Sequence, residues 1–267
     1  MSDGPKAIVI RNMVKDFVDP VTGKAWRVLD GINLEVEQGT FLCLIGASGS
    51  GKTTLLNLIA GFDHPSGGTI HVGGVPVTAP GPDRMMVFQD YALLPWLNTI
   101  GNVEFVLRAQ HVQAEERRAR ALEMLKLVNL AEFAERPVYR LSGGMKQRVA
   151  LARALVVKPK VLLMDEPFAA LDAQQRSLMQ KELIRLWQET KKTIVFVTHS
   201  LEEAIYLGDE VKLLTSRPGR LAVTEVVDLP RPRDSTSSEF NELKRRLGVV
   251  LNAEVERIEA EKRTVAL

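Results

Sequence analysis

The chain has 267 residues, a length that suits one domain of ordinary size with a short appendage at most. Hydrophobic residues make up 45% and charged residues 25% of the sequence, which is the balance of a globular protein with a substantial core. The net charge of +2 is too small to indicate binding to nucleic acid or to an acidic membrane surface.

The sequence contains one cysteine, Cys43, which excludes an internal disulfide and fits a reducing compartment. Cys43 lies in the apolar run of residues 41–45, so we expect a buried and unreactive thiol. The amino terminus lacks the pattern of a signal peptide, and no apolar stretch approaches the roughly 18 residues that a membrane span needs. If the protein serves a membrane process, we expect other chains to supply the membrane.

The first 60 residues predict strands followed by a helix. Short strands are expected at residues 8–10 and 28–36, separated by a turn-rich insert at residues 18–23. The continuous apolar run at 41–45 is typical of a buried parallel strand. It leads into a glycine-rich loop and then into a helical pattern that ends near residue 60.

The remaining chain alternates between helical and extended patterns. Glycines and prolines at residues 64–83 indicate turns around a hairpin strand, and residues 99–136 are helical and charged. A helix, a strand, a helix and a strand are then expected at 145–157, 161–164, 178–187 and 193–197. This alternation predicts an α/β fold with a mainly parallel sheet. After residue 233, apolar side chains at spacings of three and four predict one amphipathic helix.

Residues 46–53, GASGSGKT, match the pattern G-x-x-x-x-G-K-[ST] of a phosphate-binding loop. Glycines let backbone N–H groups approach phosphates closely, and the helix that follows adds its positive end. Lys52 is expected to reach the β and γ phosphates, and the Thr53 hydroxyl is expected to bind magnesium. A chance glycine-rich turn is the alternative, but a buried strand before the loop and a helix after it favour the phosphate site.

The predicted strand at residues 161–164 ends in two carboxylates, Asp165 and Glu166. Asp165 can hold magnesium through water, as a Walker B aspartate does. Glu166 is placed to polarise the attacking water as a general base. The alternative is an ordinary solvated loop at a strand end.

Residues 141–147, LSGGMKQ, resemble the signature motif of ABC ATPases. Ser142 and the two glycines precede a helix, so they present a hydroxyl, bare N–H groups and a positive helix end to an anion. Taken alone, this pattern is more often a simple helix N-cap. Beside the phosphate loop and the carboxylate pair, it favours the ABC reading.

Further ABC elements occur in family order. Gln89 is similar to the Q-loop glutamine that contacts magnesium and water, and residues 170–172, Ala-Leu-Asp, resemble the D-loop that crosses the dimer interface. His199 is similar to the switch histidine that contacts the γ-phosphate. The family usually stacks adenine on an aromatic residue before the first core strands. Phe17 and Trp26 both qualify, and we prefer Phe17 because it precedes the insert.

The resemblance covers about residues 7–225. It implies a P-loop NTPase fold of the ABC nucleotide-binding type, with an antiparallel β subdomain and a helical subdomain at about 90–158, all within residues 1–233, followed by a helical tail at 234–267. It implies ATP and Mg²⁺ as cofactors, and a head-to-tail dimer in which each ATP lies between one chain's phosphate loop and the other's signature motif. The nucleotide contacts that it implies are Phe17, Gly46, Ser48, Gly49, Ser50, Gly51, Lys52, Thr53, Thr54, Ser142, Gly143, Gly144, Gln147 and Asp172. The catalytic residues that it implies are Glu166, His199 and Gln89, and the magnesium ligands are Thr53, Gln89 and Asp165.

Residues 93–96, LLPW, preceded by residues 80–84, PGPDR, are similar to the nitrate, sulfonate and taurine group of import ATPases. Residues 216–220, SRPGR, and residues 229–234, LPRPRD, resemble the same group. For such a motor the partners are a second ATPase subunit, identical or a close paralogue, two transmembrane permease subunits and, indirectly, an extracytoplasmic substrate-binding protein, with no nucleic acid. Its place is the cytoplasmic face of the inner membrane, as a peripheral subunit. The apolar segment 91–97 suits a groove for a partner's short helix, although a buried helix start has a similar composition. A soluble ABC ATPase without a transport role is the rival function.

Overall fold

The computed structural model describes the backbone of residues 4–265 and the side chains of residues 4–260. The strands in this part of the chain are β1 (Lys6–Val18), β2 (Ala25–Glu37), β3 (Phe41–Ile45), β4 (Gly67–Val72), β5 (Val75–Pro76), β6 (Arg84–Val87), β7 (Val161–Asp165), β8 (Thr193–Val197), β9 (Glu210–Leu214) and β10 (Leu221–Val226). The α-helices are α1 (Lys52–Ala60), α2 (Thr99–Ala109), α3 (Ala114–Leu127), α4 (Gly143–Leu155), α5 (Ala173–Thr190), α6 (Leu201–Leu207) and α7 (Ser238–Val265).

The described residues form two compact units. The first comprises the chain up to Pro80 together with the segment from Thr193 onward, and the second comprises Gly81–Lys192. Among the described residues, no helix combines the length and the apolar character that a membrane crossing requires. The domain limit at residue 233 and the helical subdomain at about 90–158 stay predictions.

An antiparallel sheet in the first unit has the strand order β2-β1-β4-β5. Strands β1 and β2 are each 13 residues long, and their register pairs Phe17 with Trp26 near the turn that joins them. The Asp19 carboxylate stabilises this turn by accepting hydrogen bonds from the N–H groups of Val21 and Thr22, at 2.7 and 3.0 Å. The turn-rich insert is therefore the tip of a long hairpin that carries the two aromatic residues.

The first unit also contains four strands in the order β10-β9-β3-β8. β3 lies between β8 and β9 and is parallel to both, which explains why its sequence is apolar throughout and why all five of its residues are buried. Cys43, at the centre of β3, has no exposed surface, and burial raises the pKa of its thiol well above the usual value. The structure therefore agrees with the prediction of a buried and unreactive thiol at Cys43.

Helix α7 packs against α6 in the same unit. It buries apolar side chains at helical spacing, namely Phe240, Leu243, Leu247 and Ile258. Lys244 of α7 also forms a 2.8 Å ion pair with Glu202 of α6. Burial of one face of this helix therefore attaches the tail to the first unit.

The second unit combines a parallel strand pair with a cluster of helices. β6 pairs with β7, and Val87 lies beside Met164 in their register. Helices α2, α3 and α4 pack against one another, and α4 also contacts β6. Small buried residues of α4, Ala150, Ala152 and Ala154, allow this close approach. The start of α4 is thereby held in a fixed position.

Candidate nucleotide-binding site

The loop between β3 and α1 has a backbone that only glycine accommodates at its key positions. Gly49 and Gly51 have φ angles of 79° and 93°, in the left-handed region. A Cβ atom on Gly46 would lie 2.5 Å from the carbonyl oxygen of Leu214, and one on Gly51 would lie 2.7 Å from Leu29 Cδ2. The loop therefore follows a path that side chains would block.

Lys52, the first residue of α1, is buried, and its ammonium group lies inside the loop. Its Nζ donates hydrogen bonds to the carbonyl oxygens of Gly46 and Ala47, at 2.9 and 3.0 Å. The loop thus folds around a cation, which places positive charge where a phosphate would enter.

The start of α1 has no side-chain cap, because its N-cap residue is Gly51. The N-cap residue therefore supplies no side-chain acceptor to the first turn, and the helix dipole favours an anion there. Thr53, in this turn, is exposed, Thr54 is half-buried, Ser48 is exposed and Ser50 is buried. The glycine-rich loop, the buried lysine and the helix start without a side-chain cap together define a P-loop nucleotide-binding protein.

His199 lies in the short connection between β8 and α6. Hydrogen bonds of its two neighbours, Thr198 and Ser200, stabilise this connection. Thr198 Oγ1 donates to the Glu203 carboxylate and accepts from the N–H of Ser200 at 3.1 Å. Ser200 caps α6 by accepting from the N–H of Glu203 at 3.2 Å. His199 itself is exposed, so the connection presents its imidazole to solvent.

In the second unit, Asp165 ends β7, and Gln89 follows the parallel strand β6 by two residues. Because the carboxyl ends of parallel strands meet at one edge of a sheet, Gln89 and Asp165 share that edge. Glu166, the next residue, has a φ angle of 44°, a conformation that is uncommon for a residue with a side chain. Its carbonyl oxygen accepts from the N–H of Ala169 at 3.1 Å, which fixes the turn.

The signature residues open α4 as predicted for an N-cap. Ser142 is exposed, and its Oγ accepts from the N–H of Met145 at 3.4 Å, which leaves the hydroxyl proton free to donate. A Cβ atom on Gly143 would lie 3.2 Å from Leu171 Cδ2 and 3.3 Å from the Tyr91 hydroxyl oxygen. The second unit therefore brings together the signature motif, the segment at 170–172 and the residues after Gln89.

Of three further predicted contacts, one has a structural role of its own and two are buried. Asp172 caps α5 by accepting from the N–H of Gln175 at 2.8 Å. Gln147 is fully buried, and neither atom of its amide has a hydrogen-bond partner within residues 4–260. Gly144 is also buried. The nucleotide contacts assigned to these three residues stay predictions.

Arg153 is a residue that the motifs do not indicate. From α4 it donates to the carbonyl oxygen of Tyr91 at 2.8 Å and also to that of Ala92. Tyr91 and Ala92 have φ angles of 59° and 48°, so the arginine holds an unusual backbone turn. Burial lowers the pKa of Arg153, as expected for a guanidinium surrounded by protein. Arg153 thus joins the signature helix to the segment that follows Gln89.

The two candidate adenine-stacking residues turn out to be neighbours. The rings of Phe17 and Trp26 stack with centroids 6.0 Å apart and an interplanar angle of 25°. The Lys15 ammonium lies 4.7 Å from the centre of the Phe17 ring, and a 2.6 Å ion pair with Asp63 holds it there. Trp26 is 49% exposed, whereas Phe17 is only partly exposed. The preference for Phe17 stays a prediction.

Comparisons with known proteins identify the family. The family model described as ABC transporter matches residues 29–169. The chain is 56% identical over 194 residues to the taurine import ATP-binding protein TauB of Pseudomonas putida, which covers 73% of this chain and 74% of that protein. It is 48% identical over 217 residues to the nitrate import ATP-binding protein NrtD of Synechocystis sp., which covers 81% of this chain and 82% of that protein.

A solved structure gives the same result. The dimeric post-hydrolysis state of an ATP-binding cassette bound to ADP and Pi superposes with a TM-score of 0.72 at 33% identity, covering 84% of this chain and all of that one. The chain therefore belongs to the ABC transporter family. It has the P-loop NTPase fold of the ABC type and is an ATP-hydrolysing enzyme.

Proposed function

We propose that the chain is the ATP-hydrolysing subunit of an importer that takes up a small anionic solute through separate membrane subunits. The observation that carries this proposal is the similarity to import ATP-binding proteins for taurine and nitrate, which extends over about three quarters or more of the chain. Both relatives are named for small solutes, one a sulfonate and the other an inorganic anion. The solute of this chain is therefore expected to be nitrate, a sulfonate such as taurine, or a similar small anion.

ATP fits the first unit because the loop around Lys52 offers a buried ammonium and the start of a helix without a side-chain cap to phosphate oxygens. The magnesium ligands proposed from the resemblance are Thr53, Asp165 and Gln89, which all offer oxygen, the donor that Mg²⁺ prefers. The cation would neutralise phosphate charge during hydrolysis.

Each remaining residue has a proposed role in the reaction. Glu166 accepts a proton from the water that attacks the γ-phosphate, and His199 contacts that phosphate. Phe17 stacks on adenine. Ser142 and Gly143 of one subunit bind the nucleotide held by the other subunit of a dimer, as the resemblance implies. The dimeric form of the similar solved structure supports this assembly.

Trp96 supports the proposal that the chain docks on membrane subunits. Its side chain is 74% exposed, so it does not serve the interior of the described fold. The buried Asn102 stabilises the loop that carries Trp96. Its side-chain oxygen accepts a hydrogen bond from Leu94 N at 2.7 Å, and its side-chain nitrogen donates one to Asn98 O at 3.0 Å. An exposed aromatic residue on a rigid loop is a typical interface anchor.

The function is tested by expressing the chain with its candidate permease subunits and measuring ATP-dependent uptake of taurine, other sulfonates and nitrate into vesicles. The expected result is uptake of one of these anions that stops with Glu166→Gln. A chain that hydrolyses ATP but copurifies with no membrane protein would instead favour the soluble ABC ATPase.

A further inference from the structure

The short helix α6 connects His199 to the core of the first unit. It starts directly after His199, with Ser200 as its N-cap residue, and it has 7 residues. A helix of this length is not stable by itself, because isolated helices need about 12–15 residues. Its position, and with it the position of His199, therefore depends on contacts made at its two ends.

The carboxyl end of α6 lacks the usual glycine turn. Gly208, its C-cap residue, has extended φ and ψ angles of −77° and 146°, whereas many helices end in a left-handed glycine that satisfies their last carbonyl groups. The N–H of Gly208 donates to Ala204 O at 2.9 Å. The next three carbonyl groups of the helix therefore need donors from elsewhere in the chain, namely those of Ile205, Tyr206 and Leu207.

Arg233, in the segment 229–234, provides most of these donors. Its Nη1 donates to Ile205 O at 2.6 Å and to Tyr206 O at 3.3 Å. The side chain is only 6% exposed, and burial lowers its pKa to about 10, so it stays charged at neutral pH. A cation at the carboxyl end of a helix is also favoured by the helix dipole. The same guanidinium donates to three further carbonyl oxygens, those of Gly208, Val227 and Leu229.

Arg231, two residues earlier, completes the contacts at this helix end. Its Nη2 donates to Leu207 O, and its Nη1 forms a 2.6 Å ion pair with Asp209. Asp209 is in turn bonded to Phe41, the first residue of β3, whose N–H donates to the carboxylate at 2.9 Å and whose carbonyl accepts from Asp209 N at 2.7 Å. The two arginines therefore fix the end of α6 to the strand that leads into the phosphate loop.

We propose that Arg233 is a positioning residue for ATP hydrolysis, which holds α6, and through it His199, in place relative to the phosphate loop. This inference rests on the contact to the γ-phosphate proposed above for His199. The helix is only about 10 Å long, so a displacement of its carboxyl end is passed to His199 at the other end. A misplacement of about 1 Å in an active site can cost up to about 10²-fold in rate.

The test is a double-mutant cycle on ATP hydrolysis by the assembled transporter. Arg233→Lys keeps the charge but replaces the branched guanidinium with a single ammonium, which cannot serve all of these carbonyl groups. We expect kcat to fall by about 5- to 100-fold, while the ADP affinity of the isolated chain changes by less than about twofold. In a His199→Ala chain the same change should cost less than about twofold, because the residue that it positions is already absent.

A second readout follows His199 directly. The sequence contains 4 histidines, so NMR of the isolated full chain with ADP and isotopically labelled histidine gives few signals. Arg233→Lys should move the His199 signal and leave the other three in place, those of His64, His71 and His111. Arg185→Lys is the matched control, since Arg185 also donates to a backbone carbonyl, Leu127 O at 2.6 Å, but lies in the second unit. It should leave kcat and the His199 signal unchanged.

The proposal is overturned if Arg233→Lys leaves kcat and the His199 signal unchanged, or if all histidine signals move together. It is also overturned if the substitution costs as much in the His199→Ala chain as in the unmodified chain. An unchanged kcat in His199→Ala alone would reject the role of His199 in hydrolysis, whereas the NMR comparison would still decide whether Arg233 positions it. If Arg233→Lys does not fold, Arg231→Lys takes its place with the same expectations, because Arg231 serves Leu207 O at the same helix end.

Discussion

Arg153 and Tyr91 are 62 residues apart in sequence, yet the arginine Nη2 donates to the Tyr91 carbonyl oxygen at 2.8 Å. This bond connects the helix that begins with the signature motif to the residues that follow Gln89. A second bond, to Ala92 O, reinforces it. In a motor whose nucleotide and partner sites must communicate, such a bond is a physical link along which a displacement can pass.

The first prediction concerns this link. Arg153→Met removes the donor from two carbonyl oxygens and is expected to lower the free energy of unfolding by about 2–4 kcal/mol. Urea denaturation measures the loss. Arg120→Met is the control, because Arg120 is exposed and only pairs with Glu116 one helical turn away, so it should cost less than about 0.5 kcal/mol. Equal losses in the two variants would show that the buried bonds contribute nothing.

The second prediction concerns catalysis. Glu166→Gln keeps the size of the side chain but removes its ability to accept a proton. We expect ATP hydrolysis to fall by about 10²–10⁴-fold while ATP binding is retained. Turnover is measured in the assembled transporter, and nucleotide affinity is measured in the isolated chain. Near-normal turnover would exclude Glu166 as the general base.

The third prediction separates the two halves of the proposed dimer site. Lys52→Ala should abolish nucleotide binding by the single chain, because its ammonium lies inside the phosphate loop. Ser142→Arg should leave that binding intact but block ATP-dependent dimerisation. Lys24→Ala, which removes an exposed lysine, is the control for charge. If Ser142→Arg loses affinity as severely as Lys52→Ala, the contact does not cross between subunits.

The fourth prediction distinguishes the two stacked aromatic rings. Phe17→Ala is expected to weaken ATP binding by about 2- to 12-fold, the value of one aromatic stacking contact. Trp26→Ala should have a smaller effect, since in the proposed site Trp26 acts by supporting Phe17. Fluorescent-nucleotide titration compares the two variants. A larger loss for Trp26→Ala would assign adenine stacking to the tryptophan.

The fifth prediction concerns assembly. Trp96→Ala should reduce copurification with the membrane subunits, because truncating an aromatic anchor at an interface typically costs about 2 kcal/mol or more. Its 74% exposure leads us to expect an unchanged melting temperature and unchanged nucleotide affinity for the isolated chain. A lower melting temperature with normal assembly would mean that Trp96 has a structural role instead.

The features that sequence reasoning reached are those encoded in contiguous runs. The apolar runs at β3 and β8 predicted both strands with the bounds that the structure has, because each is buried on both faces. The phosphate loop and the carboxylate pair were likewise predicted from short contiguous motifs, because the chemistry proposed for each requires residues that are neighbours in the sequence. β9 was missed. It lies beside β3, but Lys212 interrupts its apolar pattern while remaining buried through contacts with Thr224 and Glu210.

Other features depend on distant parts of the chain. No local pattern indicates that Arg153 reaches Tyr91, or that Ser216 is fixed by Glu254 and Arg257 of the last helix. The helix predicted at residues 178–187 begins with Leu178 at helical spacing from Leu183 and Leu186, but Leu178 is 62% exposed whereas the other two are buried. Helical spacing alone does not say where the buried face of a helix ends.

The burial of Cys43 has a practical consequence for following the motions of this motor. A thiol with no exposed surface at the centre of β3 reacts with a labelling reagent only when the core around it opens, so its labelling rate reports opening of the central core. The same protection makes the natural chain nearly silent toward thiol chemistry at short times. A cysteine introduced at an exposed position such as Ser142 would therefore stand out as a single reporter, and subunit contacts could be trapped by cross-linking with the central strand left unaltered.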